Sequence, residues 1–445
     1  MKITWALFEK IGLDIVQALV FVIFAKILGP EAFGIVGILS VFITFSKSII
    51  ESGLKDVIVK HQKISNNTLS AFLLFQFALS CLIYFIFFVI APWISDYFQD
   101  IRLINLTRIL SLNLFFISLS IIHSSLIYKQ ENYKLLTRIR VFSTMTATIF
   151  GLSHAVVYGN YWSLVLYQLL LSVTTLVLNL RFSPLKLSTP SFDIRFLNGL
   201  KMGYKLLLAS LLNSNFHSIM KFVIGSKLSM SSVGYYSQTI RLSHLLTKTT
   251  SNFVGRFMYP ILSKRKDKKL MLFLLKTAPI YFFLVQLFLV FFGEIFIDLI
   301  LGEEWIFILE GLIIIISSGY MFFTSVLAVN YLIVFSSGKE VLLMRFFSFL
   351  LPILGILIVE INYLNVILIT SLNFVISFII SIWFLRTVLS LRLIMEICLN
   401  NILLLAVSFA MIIDIWHIMK TSLVVLMAVS AIRILYLIKS YVSEN

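Results

Sequence analysis

Charge is scarce in this chain, and what there is leans one way. Asp, Glu, Lys and Arg make up 13% of 445 residues, with 36 cations against 20 anions, while 60% are hydrophobic. Such a chain cannot clothe a soluble globule in a polar surface, which excludes water-soluble enzymes and binding modules. Cysteine is nearly absent: Cys81 and Cys398 both sit inside apolar runs, too isolated for a zinc motif and too buried for a structural disulfide. No Walker A sequence occurs, since Ser336-Ser337-Gly338-Lys339-Glu340 lacks both the earlier glycine and the Ser/Thr after lysine, so ATP hydrolysis is not expected. There is no HExxH, no Cys/His cluster and no GxSxG elbow, and the histidines at 61, 123, 154, 217, 244 and 417 are scattered. All links between apolar runs are short. A membrane polymerase or ligase would need a sizeable external loop to hold its acceptor, and none is available. The expectation is therefore no enzymatic activity, no metal and no cofactor.

What is present is a long series of apolar runs of about twenty residues, which defines an all-α polytopic membrane protein. The runs predict about fourteen transmembrane helices, near 12–28, 33–51, 69–94, 103–127, 139–158, 162–181, 201–225, 233–259, 272–300, 306–335, 341–360, 363–385, 394–414 and 419–438. Residues 2–10, with Trp5 and Phe8 between Lys2 and Lys10, read as an interfacial lead-in to a first span that is retained. Only Glu360-Ile361-Asn362-Tyr363 separates the eleventh and twelfth runs, and merging them would invert everything that follows. The first two runs meet at Gly29-Pro30, which predicts a transmembrane hairpin. A degraded copy of this pattern returns later, with Leu28 aligned to Leu228 and Gly34 to Gly234.

The net charge of +16 does not point to nucleic acid, because the cations fall in alternate short links, as the positive-inside rule requires. Those links carry Lys55, Lys60 and Lys63, then Lys129 to Arg140, Arg181 to Arg195, Lys264 to Lys269, and later Lys339, Arg386, Arg392 and Lys439. The opposite links hold Asp96, Asp100, Asp298, Glu303, Glu304, Glu360 and Asp414. Both termini are thereby predicted cytoplasmic. The stretch containing Pro184 and Pro190 divides six spans from eight, giving a six-helix lobe over 1–182, a linker over 183–200, a second six-helix lobe over 201–386 and two further helices over 387–445. Both repeats begin on the same side, so they are parallel repeats about an axis along the membrane normal, with a central cavity between lobes.

Polar and cationic side chains inside the spans carry the functional signal, since a charge at the bilayer centre costs about 2.5–3.5 kcal/mol on insertion scales and usually faces a cavity. Asn213, His217 and Lys221 recur at i, i+4 and i+8; Arg241, His244, Lys248 and Asn252 at i, i+3, i+7 and i+11. The first span offers Asp14 and Gln17, the second Thr44, Lys47 and Glu51, and the fourth Arg108. Lys47 with Glu51 can also be read as a plain i,i+4 pair, and Asp14, Glu51 and Lys221 as snorkelling groups. These faces nonetheless fall on spans 1, 2, 7 and 8, corresponding helices of the two repeats. They predict a cationic cavity (Lys47, Arg108, Lys221, Arg241, Lys248) with polar lining (Asp14, Gln17, Asn213, His217, His244, Asn252), suited to an anionic substrate.

The turn Leu28-Gly29-Pro30-Glu31-Ala32-Phe33-Gly34, the segment Ser52-Gly53-Leu54-Lys55-Asp56-Val57-Ile58 and the ending Phe257-Met258-Tyr259-Pro260 resemble the bacterial polysaccharide-export flippases. These handle O-antigen and exopolysaccharide repeat units, within the superfamily that also contains multidrug and toxin extrusion transporters. The resemblance implies a fold of two six-helix bundles, two extra helices in the longer members, and a polyprenyl-diphosphate-linked oligosaccharide as cargo moved between leaflets of the bacterial inner membrane. For such a cargo, sugar contacts are expected from Asn213, Asn215, Asn252 and aromatic residues. A polysaccharide polymerase and a chain-length regulator are the partners to expect, and Asp14 is a candidate for a coupling proton or sodium ion. The alternatives are a multidrug extruder, whose cavity should be dominated by carboxylates, and a flippase for the lipid-linked cell-wall precursor.

Overall fold

Hydrocarbon offers the backbone no hydrogen-bond partner, so a crossing segment must satisfy its N–H and C=O groups internally. The computed structural model describes residues 2–51, 53–60, 64–192, 194, 196–201, 203, 207, 216–247, 269–335, 339–386 and 394–402, and among them there are helices and no strand. Seven of the described helices are long and apolar enough to cross a membrane, eight with one bent pair counted as a span. The protein is an all-α, multi-pass membrane protein. The span expected at 419–438, the Phe257–Pro260 ending, and Asn213, Asn215, Lys248 and Asn252 lie outside the described residues.

Helix α1 (Lys2–Glu51) is broken at Gly29, whose φ of 69° and ψ of 175° no side-chain-bearing residue adopts readily. Pro30 then opens the second half, where its missing N–H costs nothing. The rings of Phe21 and Phe33 meet edge-on with centroids 6.2 Å apart. Along an unbroken helix those positions would be separated by about 18 Å. The chain therefore folds back at Gly29, and the hairpin read from the sequence is present.

The remaining helices of the first compact unit, Met1–Ser237, are α2 (Leu54–Lys60), α3 (Asn66–Phe98), α4 (Arg102–Leu110), α5 (Asn113–Lys129), α6 (Tyr133–Tyr158), α7 (Trp162–Phe182), α8 (Phe216–Lys227) and the start of α9 (Met230–Leu246). Their starts are written locally. Ser65 accepts from the Thr68 amide at 3.2 Å to cap α3, and Asn132 accepts from the Leu135 amide at 3.2 Å to cap α6. Apolar faces of α1, α3 and α5 close on Ile50, Ile83, Phe87, Leu114 and Ile121. Fully buried Gln76 donates to the Ile50 carbonyl at 3.0 Å, satisfying an acceptor that the end of α1 leaves open. The 183–200 stretch is docked on this unit. The Ser191 amide donates to the Asn67 carbonyl at 3.1 Å, and Phe196 joins a cluster with Leu54, Phe72 and Ile122.

Two glycines bring the turns near Pro30–Gly34 and Met230–Gly234 into close contact. A Cβ placed on Gly34 would overlap the carbonyl of Met230, and one on Gly234 would overlap the carbonyl of Pro30. The contact is reciprocal: position 34 meets 230, and 234 meets 30. That is the signature of a two-fold relation between equivalent turns, here within one chain. Gly37 extends the approach, its missing Cβ lying 3.2 Å from both Val233 Cγ1 and Ser237 Oγ.

The second unit, Gln238–Asn445, contains the rest of α9, then α10 (Lys269–Leu301), a 3₁₀ turn (Glu303–Trp305), α11 (Ile308–Ser317), α12 (Gly319–Phe335), α13 (Lys339–Gly355), α14 (Tyr363–Leu385) and a helical stretch at 394–402. The sequence predicts one span over 306–335; the structure bends it by 41° between α11 and α12. Gly319 sits at that bend, where a Cβ would crowd Thr247 and the Phe282 ring. Helices α13 and α14 are separate and antiparallel. Asn373 donates to the Ser348 carbonyl at 2.8 Å, while the Ser381 hydroxyl lies 3.2 Å from Met344 Sδ, so numbers rise on one helix as they fall on the other. Merging the eleventh and twelfth runs is thus excluded. The compact units divide inside α9, whereas the sequence expects the lobes to divide near 183–200; α8 and the α8–α9 turn are held against α1.

Replacing Gly34 or Gly234 by Ala forces a methyl group into backbone and should lower stability by on the order of 1–3 kcal/mol. Gly355→Ala, whose nearest neighbour would be Ile369 at 4.0 Å, should be neutral or stabilise by up to about 1 kcal/mol. Melting temperatures of the detergent-solubilised variants test this; equal shifts for all three would contradict the reciprocal contact.

Candidate functional site: a cationic cavity in the first unit

Long basic side chains and short polar ones converge where α1, α2, α5, α6 and α7 end or begin at the lysine- and arginine-rich end of the first unit. They enclose a cavity of about 330 Å³. Lys47 and Glu51 enter from α1, Lys55 from α2, Ser120 and Ser124 from α5, Arg140 from α6, and Thr175 and Asn179 from α7. Three cations stand against one carboxylate. The Lys47 ammonium lies 3.9 Å from Glu51 with both side chains about half exposed, a loose pair worth at most about 1 kcal/mol, so it leaves Lys47 able to engage another anion. The Lys55 ammonium is 5.3 Å from the centroid of the Tyr128 ring. Deeper in, Asn179 is only 2% exposed and donates to Ser120 Oγ at 2.6 Å. Its carbonyl oxygen has no hydrogen-bond partner.

The opposite end of the unit is organised by Arg102. Its guanidinium takes Asp100 in a two-point contact at 2.9 and 2.8 Å and reaches Glu31 at 2.7 Å, tying the α1 turn to the α3–α4 turn. Glu31, Asp100 and Arg102 also border a second concavity of about 520 Å³, shared with Leu228, Ser229 and Met230 of the α8–α9 turn.

The sequence-predicted site residues divide between several places. Lys47 lines the cavity. Arg108 does not: it lies on α4, its guanidinium carbon 4.3 Å from the centroid of the Phe88 ring. Gln17 is half-buried on α1, and the Asp14 side chain lies outside the described set. His217 and half-buried Lys221 share α8, and the His217 Nδ1 lies 3.1 Å from the hydroxyl of fully buried Tyr236. Arg241 and His244 are half-buried on α9, in the second unit.

Three cavity residues escaped the sequence reading. Lys55 and Arg140 are there as orientation-setting cations of the links, and Asn179 as a polar residue in an apolar run. A signal for the last existed: Ser172, Thr175 and Asn179 follow i, i+3 and i+7 on α7.

The helices define an all-α, multi-pass membrane protein. Its fold matches that of the solved structure "Lipid II flippase MurJ, inward closed conformation", with a TM-score of 0.77 over 98% of this chain and 100% of that one at 16% identity. An inward-facing multidrug resistance MATE family transporter of the MOP superfamily aligns with a TM-score of 0.62 over 89% and 99% of the two chains at 13% identity. The sequence is more specific. Residues 23–310 match the profile of a family described as "Polysaccharide biosynthesis protein", and the chain belongs to that family. A Klebsiella pneumoniae relative described as "Uncharacterized membrane protein in cps region" is 24% identical over 326 residues, 71% of this chain and 67% of the relative.

Because the Lys47–Glu51 pair is loose and half-exposed, Lys47→Gln should change stability by less than about 1 kcal/mol. A thermal melt of the purified variant checks this, and a larger loss would make Lys47 a structural residue.

Proposed function

We propose that the protein is a flippase that turns a polyprenyl-diphosphate-linked oligosaccharide from the cytoplasmic to the outer leaflet of the bacterial inner membrane, for surface polysaccharide assembly. The observation that carries this reading is a cationic cavity among the membrane helices of a polysaccharide biosynthesis family member. A diphosphate entering hydrocarbon loses hydration worth tens of kcal/mol unless fixed donors replace water. Lysine and arginine supply those donors as point charges and a planar fork. The polyprenyl tail never needs to leave lipid.

Movement is by alternating access, with no covalent chemistry and no cofactor. The contact of the Pro30–Gly34 and Met230–Gly234 turns holds one end together and would part to release cargo. Both termini are cytoplasmic in this scheme, because the basic links then face inward. Asp14 remains the candidate for a proton or sodium ion that drives the cycle, and a polymerase with its chain-length regulator would receive the product. A cell-wall precursor flippase is the second reading, favoured by the 0.77 TM-score to the lipid II flippase. A drug extruder fits less well, since Glu51 is the cavity's lone carboxylate beside Lys47, Lys55 and Arg140.

Deleting the gene should remove surface polysaccharide and accumulate lipid-linked repeat units inside, with drug sensitivity unchanged. The wild-type gene should restore export, and Lys47→Gln/Lys55→Gln/Arg140→Gln, which removes the three cations of the cavity, should not. Export retained in that triple variant would falsify the cationic-path assignment, and lethality irrespective of surface polysaccharide would favour the cell-wall reading.

A further inference from the structure

Resting on that flippase reading, we infer that the cavity inside the first unit is itself a glycosyl-phosphate subsite: Lys55 and Arg140 hold the phosphate, and Asn179 reads a hydroxyl of the sugar next to it. The sequence pointed to Lys47, Arg108, Lys221, Arg241 and Lys248, of which Lys47 lines this cavity, and neither Lys55, Arg140 nor Asn179 was among its candidates.

Three observations meet here. First, the lining combines charge, neutral polar groups and an apolar wall. The exposed side chains of Lys55 and Arg140 share the cavity with Ser120, Ser124, Thr175 and Asn179, and Phe116, Ile121, Leu136 and Leu171 are among the apolar residues that complete it. Cations beside neutral donors and acceptors match a ligand that carries both an ionised group and hydroxyls. Second, Asn179 is 2% exposed, yet its carbonyl oxygen has no hydrogen-bond partner. Leaving a buried acceptor open is unfavourable, and a ligand recovers that cost by donating to it. The conclusion holds for either orientation of the amide. One end is taken by Ser120 at 2.6 Å, and the other is left for a sugar hydroxyl, which both donates and accepts. Third, the volume of about 330 Å³ sits at the lower end of ligand pockets, about 300–1,000 Å³. It suits one sugar ring with its phosphate and not an entire repeat unit.

The glycerol-phosphate headgroup of an anionic phospholipid shares the phosphate but lacks a ring of hydroxyls, so the two sources can be told apart. The full chain is reconstituted in phosphatidylcholine nanodiscs, and dissociation constants are measured by native mass spectrometry. The probes are undecaprenyl diphosphate bearing one hexose, bare undecaprenyl diphosphate, and phosphatidylglycerol as competitor. Lys55→Gln/Arg140→Gln should weaken both diphosphates by about tenfold, as loss of charge-assisted contacts predicts. Asn179→Leu should weaken the glycosylated probe by about fivefold and leave the bare one unchanged. Thr175→Val, nearly isosteric, serves if Asn179→Leu fails to insert, with the same selective loss expected.

Wild-type affinity in the double variant, or an unchanged ratio between the two diphosphates in the α7 variant, overturns the subsite while leaving the flippase reading standing. Displacement of the glycosylated probe by phosphatidylglycerol at equal concentration overturns it as well, making the cavity a phospholipid site. Failure of the wild-type protein to bind either diphosphate removes the flippase reading itself.

Discussion

Two helical turns come so close that only glycine fits between them, and the first unit is arranged about that approach. Gly34 admits the carbonyl of Met230, and Gly234 admits the carbonyl of Pro30. Close approach of this kind matters in lipid, where helices gain nothing from the hydrophobic effect against one another and associate through tight contact and polar bonds. Everything nearby follows from it. Gly29 takes the positive φ that folds α1 back, Pro30 restarts the helix, and α8 is brought against α1, so that the boundary between compact units falls inside α9 rather than at the linker. The Arg102 contacts with Asp100 and Glu31 secure the same end from outside. Partly exposed, they contribute less than the backbone approach itself.

At the other end of the unit the organising force is electrostatic. Cations in a low-dielectric surrounding are expensive unless their heads reach water or an anion. The cavity meets that requirement because its Lys55 and Arg140 are exposed, while the deeply buried polar residue in its lining is a neutral amide, Asn179. A site so built attracts an anion without the penalty of a buried unpaired charge. The same logic places Arg108 differently: with its guanidinium over the Phe88 ring it gains a cation–π contact in place of an ion pair.

The helices themselves are less regular than their apolar runs. The run over 306–335 bends at Ser318, and that over 103–127 is interrupted between Leu110 and Asn113. In both places serine hydroxyls return to carbonyls of the preceding turn: Ser317 to Ile314, Ser318 to Ile315 and Ser111 to Arg108. Such bonds satisfy acceptors that a break sets free, and they let a membrane helix change direction without exposing backbone to lipid. Breaks of this type are invisible to hydropathy, because serine costs little there and the averaged apolarity is unchanged.

Amino-acid order alone determined the class of this protein, the apolar helices found among the described residues, the hairpin at Gly29-Pro30 and the kinship of positions 34 and 234. Each of these depends on short-range chemistry: runs of apolar side chains long enough for a bilayer, a helix-breaking dipeptide, and spacing along one strand of sequence. Tertiary structure alone decided which polar residues share a site. Lys47 from α1, Lys55 from α2, Arg140 from α6 and Asn179 from α7 meet because several helices end at the same level, and no periodicity within a single helix records that meeting. The charge on Lys55 and Arg140 was legible, but a cation that orients a link and a cation that borders a cavity look alike until the neighbouring helix ends are placed beside it.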